Sequence, residues 1–160
     1  MAAEAFAEEV AMQTIHFNDI STLVGQEIGV SEWVEITQQR VNQFAEATGD
    51  FQWIHVDVER ARQALGGTIA HGYLTLSLIP WLRGTLLDVQ GVSRGINYGS
   101  DKIRFTNFVP VGKRVRLRLK LLAAEPKAGG LQLTDECVIE MEGEAKPACI
   151  AQTITILYGE

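Results

Sequence analysis

The sequence predicts an α+β protein in which helices come first and an antiparallel sheet follows. Three observations favour this order: apolar residues recur at helical spacing between residues 37 and 89, strictly alternating segments begin at residue 113, and no repeat or linker interrupts the 160 residues. An apolar share of 46% and a charged share of 21% are typical of a globular protein with a core. We therefore expect an N-terminal extension over residues 1–19 and a single domain over residues 20–160.

The first convincing helix follows Thr37, which can act as its N-cap. Gly49 is well placed to end it, because glycine accepts the left-handed cap conformation. Between them, one face carries four residues at the spacing of a buried helical stripe, namely Val41, Phe44, Ala45 and Thr48.

Two further helices are predicted. The first is short, with Asp57 as its N-cap and Gly66 and Gly67 at its end. The second begins near His71 and Gly72, continues to about Val89 and is apolar on most sides, which predicts a buried helix; Pro80 inside it predicts a kink or an early start.

The second half of the chain changes to a period of two. Residues 94–107 predict one or two short strands, and residues 113–121, 131–142 and 147–158 predict three more. A buried helix beside an antiparallel meander predicts a sheet wrapped round that helix. Such a sheet leaves an edge or face to be covered, so a homodimer is expected.

The charge and the cysteines exclude several classes of protein. A net charge of -6 disfavours binding to nucleic acid or to an anionic membrane, and the longest apolar segment, residues 73–82, is about half a membrane span. Cys137 and Cys149 form no disulfide framework or zinc motif, so we expect small buried side chains. With no secretory signal visible at the acidic N-terminus, a cytoplasmic location is expected.

Asp50 and His55 are the candidates for chemistry. They lie five residues apart, just beyond Gly49, where a loop can bring both to one pocket. A carboxylate beside an imidazole is a general acid–base pair. The plainer alternative is that Asp50 binds backbone amides after the helix and that His55 is an ordinary loop residue. A metal site of Asp50, His55 and Asp57 lacks a further ligand, and no metal is expected.

His71 and Gly72 open the buried helix, and the free N–H groups of a helix start attract anions. Glycine at position 72 lets a ligand approach the backbone closely. This suits a thioester carbonyl whose oxygen becomes negative during a reaction. The alternative is a helix start that needs a small residue for packing, with His71 as a cap or a hydrogen-bonding neighbour.

Basic residues concentrate between residues 102 and 120. Lys102, Arg104 and Lys113 are the better candidates to bind the phosphates of a ligand such as coenzyme A. For the stripe Arg114, Arg116 and Arg118, ion pairing on a solvated face is favoured instead. If the following hairpin turns near residue 127, Arg118 faces Glu136 and Arg114 faces Glu140.

Three segments in order resemble one known family. They are ATGDFQWIHVD, which contains Asp50 and His55, then TIAHGYLTLSLIP and INYGSDKIRFTNFVPVGKRV. This combination resembles the MaoC-like dehydratases, also called (R)-specific enoyl-CoA hydratases or hydratase 2, and above all their NodN-like branch. The resemblance covers residues 20–158.

The resemblance implies a hot-dog fold, in which a long central helix is wrapped by an antiparallel sheet and two protomers join. It implies (R)-specific hydration of trans-2-enoyl-CoA to (3R)-3-hydroxyacyl-CoA, with Asp50 and His55 catalytic and the N–H of Gly72 on the thioester carbonyl. Hydration needs no metal or redox cofactor. A hot-dog thioesterase and a non-catalytic module that binds acyl-CoA or acyl-carrier protein are the alternatives.

The chain departs from the family at one place. Gln52-Trp53 stands where many members have Asn-Pro before the histidine, and a bulky Trp53 would reshape the acyl pocket. Some members also use a Ser or Asn near the site, for which Ser77 and Asn97 are the candidates.

Overall fold

The computed structural model describes residues 11–160, which form an antiparallel sheet and a series of short helices. The helices are α1 (Gln38–Thr48), α2 (Trp53–Val56), α3 (Val58–Leu65), α4 (Gly72–Ser77) and α5 (Ile79–Gly84), preceded by a 3-10 helix at Phe17–Leu23. The strands are β1 (Gln13–His16), β2 (Glu27–Val30), β3 (Val34–Glu35), β4 (Leu87–Gln90), β5 (Val92–Arg104), β6 (Arg114–Lys127), β7 (Gly130–Met141) and β8 (Cys149–Gly159).

Six strands form the main sheet, in the order β2-β6-β7-β8-β5, with β3 also paired to β6. Every pairing in it is antiparallel. The helices α4 and α5 lie against its concave face, α4 on β8 and α5 on β6. The predicted α+β class, with a sheet around a buried helical segment, is confirmed.

The period of two is confirmed in β6 and β7. Side chains at alternate positions are fully or almost fully buried and form the centre of the core: Val115, Leu117, Leu119, Leu121, Leu133, Cys137, Ile139 and Met141. Removing apolar surface from water is the main stabilising term in folding, at about 25 cal/mol per Å². This layer therefore holds the sheet against the helices.

The predicted helix caps are also confirmed. The side chain of Thr37 accepts a hydrogen bond from the N–H of Arg40, and that of Asp57 accepts one from the N–H of Arg60. Gly49 ends α1 with φ of 79°, and Gly66 ends α3 with φ of 84°. These caps fix both ends of the segment that carries Asp50 and His55.

The long helix predicted from residue 71 to about 89 is wrong in its length. It consists of α4 and α5 in series, joined at Leu78, which keeps helical angles. Pro80 lies in the first turn of α5, where its missing N–H costs little. Leu87 already belongs to β4, which pairs in parallel with β1. The apolar run continued past the helix because a buried strand shows the same composition as a buried helix.

Residues 1–10 of the predicted extension lie outside the described residues. Residues 13–16 form β1, a strand that the sequence did not predict. Within residues 11–160, no helix is long and apolar enough to cross a membrane.

The predicted ion pairs on the outer face exist, but with other partners. The β6–β7 turn is centred at residues 128 and 129, so Arg116 faces Glu140 and Arg118 faces Val138. Arg116 and Arg118 both bind Glu140, at 2.7 Å each, and Arg114 binds Glu142. The predicted pairs Arg118–Glu136 and Arg114–Glu140 are therefore wrong, because the later turn and the bulge between Leu121 and Ala123 together shift the pairing of these arginines by two residues. Residues 94–104 lie in one long strand, β5, rather than two short ones.

Candidate active site

Asp50 lies directly after the left-handed Gly49, in the connection between α1 and α2. Its carboxylate is exposed, and Oδ1 accepts a hydrogen bond of 3.3 Å from the N–H of Gln52. The alternative reading, in which Asp50 binds a backbone amide after the helix, is therefore part of its geometry. The contact uses one carboxylate oxygen and leaves acceptor capacity on the other.

His55 is held in α2, a single helical turn that the sequence analysis took for a loop. The imidazole is buried, with 6% of the residue exposed. Its Nδ1 lies 2.7 Å from the carbonyl oxygen of Ile69. Since a carbonyl oxygen only accepts, Nδ1 carries the proton, and in the neutral ring Nε2 keeps its lone pair. His55 is thereby prepared to accept a proton at Nε2.

His71 lies beneath His55 and is buried even more deeply, with 2% of the residue exposed. The two rings stack, with centroids 3.9 Å apart and planes 24° apart. The Nε2–H of His71 donates to the carbonyl oxygen of Asp50 at 3.0 Å. This bond ties the backbone of Asp50 to the start of α4.

The three side chains form one cluster. A carboxylate oxygen of Asp50, a ring nitrogen of His55 and one of His71 all lie within 4.8 Å of one another. No direct hydrogen bond joins the carboxylate of Asp50 to either ring within residues 11–160. Two hydrogen bonds of about 2.8 Å through one water molecule span such a gap. The cluster can therefore hold one small oxygen species between an acid and a base.

The same geometry is a poor cation site. A metal ion needs lone pairs that converge on one point about 2.0–2.1 Å from each nitrogen. Nearly parallel rings at 3.9 Å direct their in-plane lone pairs side by side instead.

Two residues that the sequence analysis missed support His55 from behind. Gln38, at the start of α1, donates from Nε2 to the backbone carbonyl of His55 at 2.8 Å. The hydroxyl of Thr68 donates to Oε1 of Gln38 at 2.6 Å. These bonds connect α1, α2 and the segment before α4 across 30 residues of sequence, which local spacing cannot reveal.

Gly72 is the first residue of α4, as predicted. Within residues 11–160, its N–H makes no hydrogen bond inside the protein. A Cβ at this position would lie 2.9 Å from the ring of Phe105, and that ring also meets Tyr73 edge to face. Both predicted reasons for a small residue, packing and an accessible backbone amide, are compatible with this geometry.

The remaining candidates are spread over a wider area. Ser77 and Asn97 line a cavity of about 500 Å³ between α4–α5 and the strands β5 and β8. Trp53 does not line this cavity; its ring lies under the guanidinium of Arg60, 4.2 Å from the ring centre. Gln52 is exposed and caps α2 through its backbone alone. The idea that Trp53 reshapes an acyl pocket finds no support in this cavity.

The three phosphate candidates are exposed. Lys102 and Arg104 lie at the end of β5, beside the Phe105 that contacts Gly72, whereas Lys113 precedes β6. Lys113 lies close enough to Glu142 to contribute to the lowered pKa of that carboxyl, which arises chiefly from Arg114. Lys102 and Arg104 are thus the two placed near the candidate site.

The two cysteines take no part in the cluster. Cys137 and Cys149 are free and buried on the sheet, as expected. Burial raises the pKa of the Cys137 thiol to about 12 and that of Cys149 to about 11. Such thiols stay protonated and unreactive.

Comparison with known proteins identifies relatives over most of the chain. A family model described as the MaoC like domain matches residues 19–135. The 3-hydroxyacyl-thioester dehydratase Z of Mycobacterium tuberculosis is 50% identical over 138 residues, which is 85% of this chain and 91% of the relative. Nodulation protein N of Rhizobium leguminosarum bv. viciae is 39% identical over 150 residues, covering 91% of this chain and 93% of the relative.

Solved structures give the same result for the fold. R-hydratase PhaJ1 of Pseudomonas aeruginosa superposes with a TM-score of 0.66 at 25% identity, over 86% of this chain and 83% of its own. An (R)-hydratase of A. caviae involved in PHA biosynthesis gives 0.67 at 26% identity, over 82% and 94%. The predicted hot-dog fold is confirmed, with a central helical segment shorter than expected.

Proposed function

We propose that this chain, which belongs to the MaoC-like dehydratase family, hydrates trans-2-enoyl-CoA to (3R)-3-hydroxyacyl-CoA and catalyses the reverse dehydration. Membership of the family makes it an enzyme of the hydratase and dehydratase class, a carbon–oxygen lyase. The observation that supports the finer proposal is the cluster in which a carboxylate oxygen of Asp50 and a ring nitrogen of His55 lie within 4.8 Å of each other.

In the proposed reaction one water molecule lies between the Asp50 carboxylate and Nε2 of His55. Its oxygen bonds to C3 of the enoyl group, one of its protons passes to the pair, and C2 receives a proton from the pair. The π electrons of the C2–C3 double bond form the new C2–H bond, so no electrons enter or leave. The two proton transfers belong to Asp50 and His55 together, because coupled groups share their titration. The reaction needs no redox cofactor and no metal.

Gly72 supplies the proposed carbonyl site. As oxygen attacks C3, negative charge moves through the conjugated system to the thioester oxygen, and the unused N–H of Gly72 can donate to it. One such donor is worth about 10²–10³-fold in rate, and general acid–base assistance about 10²–10⁴-fold. The stack of His55 on His71, the residue before Gly72, holds the His55 ring in place.

The proposal is tested by hydration of crotonyl-CoA, followed as loss of enoyl absorbance, with chiral analysis of the product. We expect the wild type to form the (R) product, and Asp50→Asn and His55→Ala each to lose about 10²–10⁴-fold in kcat. Asp57→Asn is the matched control, because this carboxylate lies two residues from His55 and caps α3. Asparagine also caps helices, so this variant should keep the wild-type rate.

The alternatives give different results in the same assay. A thioesterase would release free thiol, which a thiol reagent detects, and a binding module would show neither thiol release nor loss of the enoyl group. An (S) product, or unchanged rates in both Asp50→Asn and His55→Ala, would contradict the proposed use of the pair.

We propose that Lys102 and Arg104 contact the phosphates of coenzyme A. The support is that both side chains are exposed and that they neighbour Phe105, whose ring lies against Gly72. Neutralising both with Lys102→Gln and Arg104→Gln should raise KM for crotonyl-CoA and leave KM for a crotonyl thioester without the nucleotide unchanged. An equal rise for both thioesters would contradict phosphate binding.

We also propose a homodimer through β5. This strand of 13 residues pairs with β8 on one edge, and no strand of residues 11–160 pairs with its other edge. Long unpaired edges associate with another strand, and large exposed apolar side chains lie on this strand, Ile96 and Tyr98, and just beyond it, Phe105. The mass in solution should be twice that of the chain, and Ile96→Lys should lower it; a wild-type monomer would contradict the proposal. We also propose a cytoplasmic location, because a reducing compartment suits the two free thiols.

A further inference from the structure

The cavity between the helices and the sheet has an unusual lining for a hot-dog core. It measures about 500 Å³, and its walls are the inner faces of β5 and β8 and the side of α4 and α5 that meets them. Several of its lining residues carry polar side chains: Ser77, Arg83, Asn97, Ser100, Thr153 and Thr155. A site that held only a hydrocarbon chain would have no use for this many hydrogen-bonding groups.

Two polar side chains, Asp135 and Thr153, occupy buried inward positions of the sheet, whereas Ser77 and Asn97 of the cavity lining are exposed. Asp135 is 1% exposed, and it falls in the alternating inward row of β7 between the apolar Leu133 and Cys137. On β8, the inward row likewise changes from Ala151 to Thr153. The inward face of the sheet is therefore polar at Thr153, which lines the cavity, and at Asp135, its cross-strand neighbour.

One ion pair joins the cavity wall to this polar row. Nε of Arg83, at the end of α5, donates to Oδ2 of Asp135 at 2.7 Å, and the Arg83 side chain is 15% exposed. Both partners keep an unused group, because Nη2 of Arg83 and Oδ1 of Asp135 are buried and have no hydrogen-bond partner within residues 11–160. Burial also raises the pKa of Asp135, which Arg83 opposes only in part.

We propose that this cavity receives the far end of the acyl group and that the guanidinium of Arg83, which lines it, donates a hydrogen bond to an oxygen atom carried there. The substrate class is then an enoyl thioester with an oxo, hydroxyl or carboxylate oxygen on its chain. This inference rests on the proposed function. Buried donors with free hydrogen-bonding capacity discriminate strongly against ligands that lack the acceptor.

The helix that leads from the carbonyl site to the cavity makes the placement possible. Gly72 begins α4 and Ser77, which lines the cavity, ends it, so the two are about 7.5 Å apart along the axis at 1.5 Å per residue. Arg83 follows six residues later, at the end of α5, and lines the same cavity. A thioester held at Gly72 can therefore direct its chain along the helix toward Arg83.

The inference is tested with three enoyl-CoA substrates of equal, medium chain length that end in a methyl, a hydroxyl or a carboxylate group. We expect kcat/KM of the wild type to be at least about tenfold higher for one of the oxygen-ended substrates than for the methyl-ended one. Arg83→Met should abolish this ratio, and Arg83→Lys, which keeps the charge beside Asp135 but loses the guanidinium fork, should reduce it. The ratio between the hydroxyl and carboxylate arms identifies the acceptor.

Arg116→Met is the matched control. This variant also replaces an arginine by methionine, but Arg116 lies on the outer face of β6, where it pairs with Glu140. The ratio should stay at the wild-type value. Because Arg83→Met leaves Asp135 buried without its partner, the double variant Arg83→Met/Asp135→Asn is measured beside it, and thermal unfolding reports whether each variant folds.

Two outcomes separate this inference from the proposed function. Equal or higher kcat/KM for the methyl-ended substrate, together with hydration of crotonyl-CoA, would overturn the role of Arg83 and leave the hydratase in place. If no enoyl-CoA is hydrated, the Kd of the saturated acyl-CoA analogues, measured by calorimetry, still decides the inference: a preference for oxygen-ended chains that Arg83→Met removes supports it, and equal affinities overturn it.

Discussion

The two ends of the helical segment α4–α5 hold buried polar groups in different ways. At its start, His55 and His71 each give one ring N–H to a backbone carbonyl. At its end, Arg83 and Asp135 form one hydrogen-bonded contact, and each keeps a buried atom that has no partner among residues 11–160. Neutral rings on carbonyl acceptors cost little to bury, whereas a partly satisfied ion pair costs several kcal/mol per ion before its attraction is counted. Nδ1 of His71 is also buried without a partner among residues 11–160, so the two ends differ in charge: the unused atom at the start is an imidazole nitrogen, and those at the end belong to an ion pair.

The largest effect on stability is expected at the Arg83 end. Asp135→Ala leaves the guanidinium buried without its partner, which should lower the free energy of unfolding by about 3–5 kcal/mol. Urea unfolding of the wild type and the variant measures it. Asp135→Asn, whose side-chain oxygen can still accept from Arg83, should lose less. A loss below about 1 kcal/mol in Asp135→Ala would show that this pair is not held tightly.

At the other end, the effect should be on rate rather than on stability. His71→Phe keeps a ring beneath His55 but loses the hydrogen bond to the carbonyl of Asp50, so kcat/KM on crotonyl-CoA should fall by about 10–100-fold through misplacement of the carboxylate. His71→Gln, whose amide can donate to that carbonyl, should restore part of the loss. If glutamine and phenylalanine give equal rates, His71 acts through packing alone.

The pH dependence of stability distinguishes the buried carboxyl from the surface ones. Burial raises the pKa of Asp135, so the folded protein keeps its proton at pH values where the unfolded chain has lost it. Stability relative to Asp135→Asn should therefore fall as pH rises from about 4, the ordinary range of an exposed carboxyl, through the raised pKa. The lowered pKa of Glu140 acts in the opposite direction, with stability lost in acid, but it is common to both proteins and cancels in the difference. A difference independent of pH would contradict the raised pKa.

The smallest effect is expected on the outer face of the sheet. Arg118 bridges Glu140 and Glu27 there, and its side chain is 38% exposed. Exposed ion pairs contribute about 0–1 kcal/mol, and salt screens them, so Arg118→Ala should cost no more than this and less at high ionic strength. Urea unfolding at two salt concentrations measures it. If Arg118→Ala lowered the free energy of unfolding as much as Asp135→Ala does, the expected difference between buried and exposed ion pairs would be contradicted.

Local chemistry made part of the fold predictable. Thr37, Gly49, Asp57 and Gly66 could be read as caps because each acts on backbone groups within four residues of itself. The inward faces of β6 and β7 could be read because a strand alternates whatever its partner. The end of α5 could not be predicted from the sequence. Leu86 and Leu87 lie beyond the helix but are as buried as the apolar residues within it.

The candidate site also has features that local sequence could predict and features that it could not. Asp50 and His55 lie five residues apart, and their approach follows from the break that Gly49 makes. The stack of His55 on His71 and the hydrogen bonds from Gln38 cross 16 and 17 residues, and they depend on how α1, α2 and α4 pack. The register of β6 against β7 was missed for a related reason: the turn lies at Ala128 and Gly129, and the bulge near Leu121 has no mark in the sequence.

The contact between Gly72 and Phe105 has a consequence for anyone who redesigns this protein. Even an alanine at position 72 would push against the aromatic ring, and a smaller residue at position 105 would give the space back. The two positions therefore form a compensating pair that joins a sheet edge to a helix start. A mutant library that varies one of them alone would record a steric penalty as lost catalysis, whereas a library that varies both would separate the two.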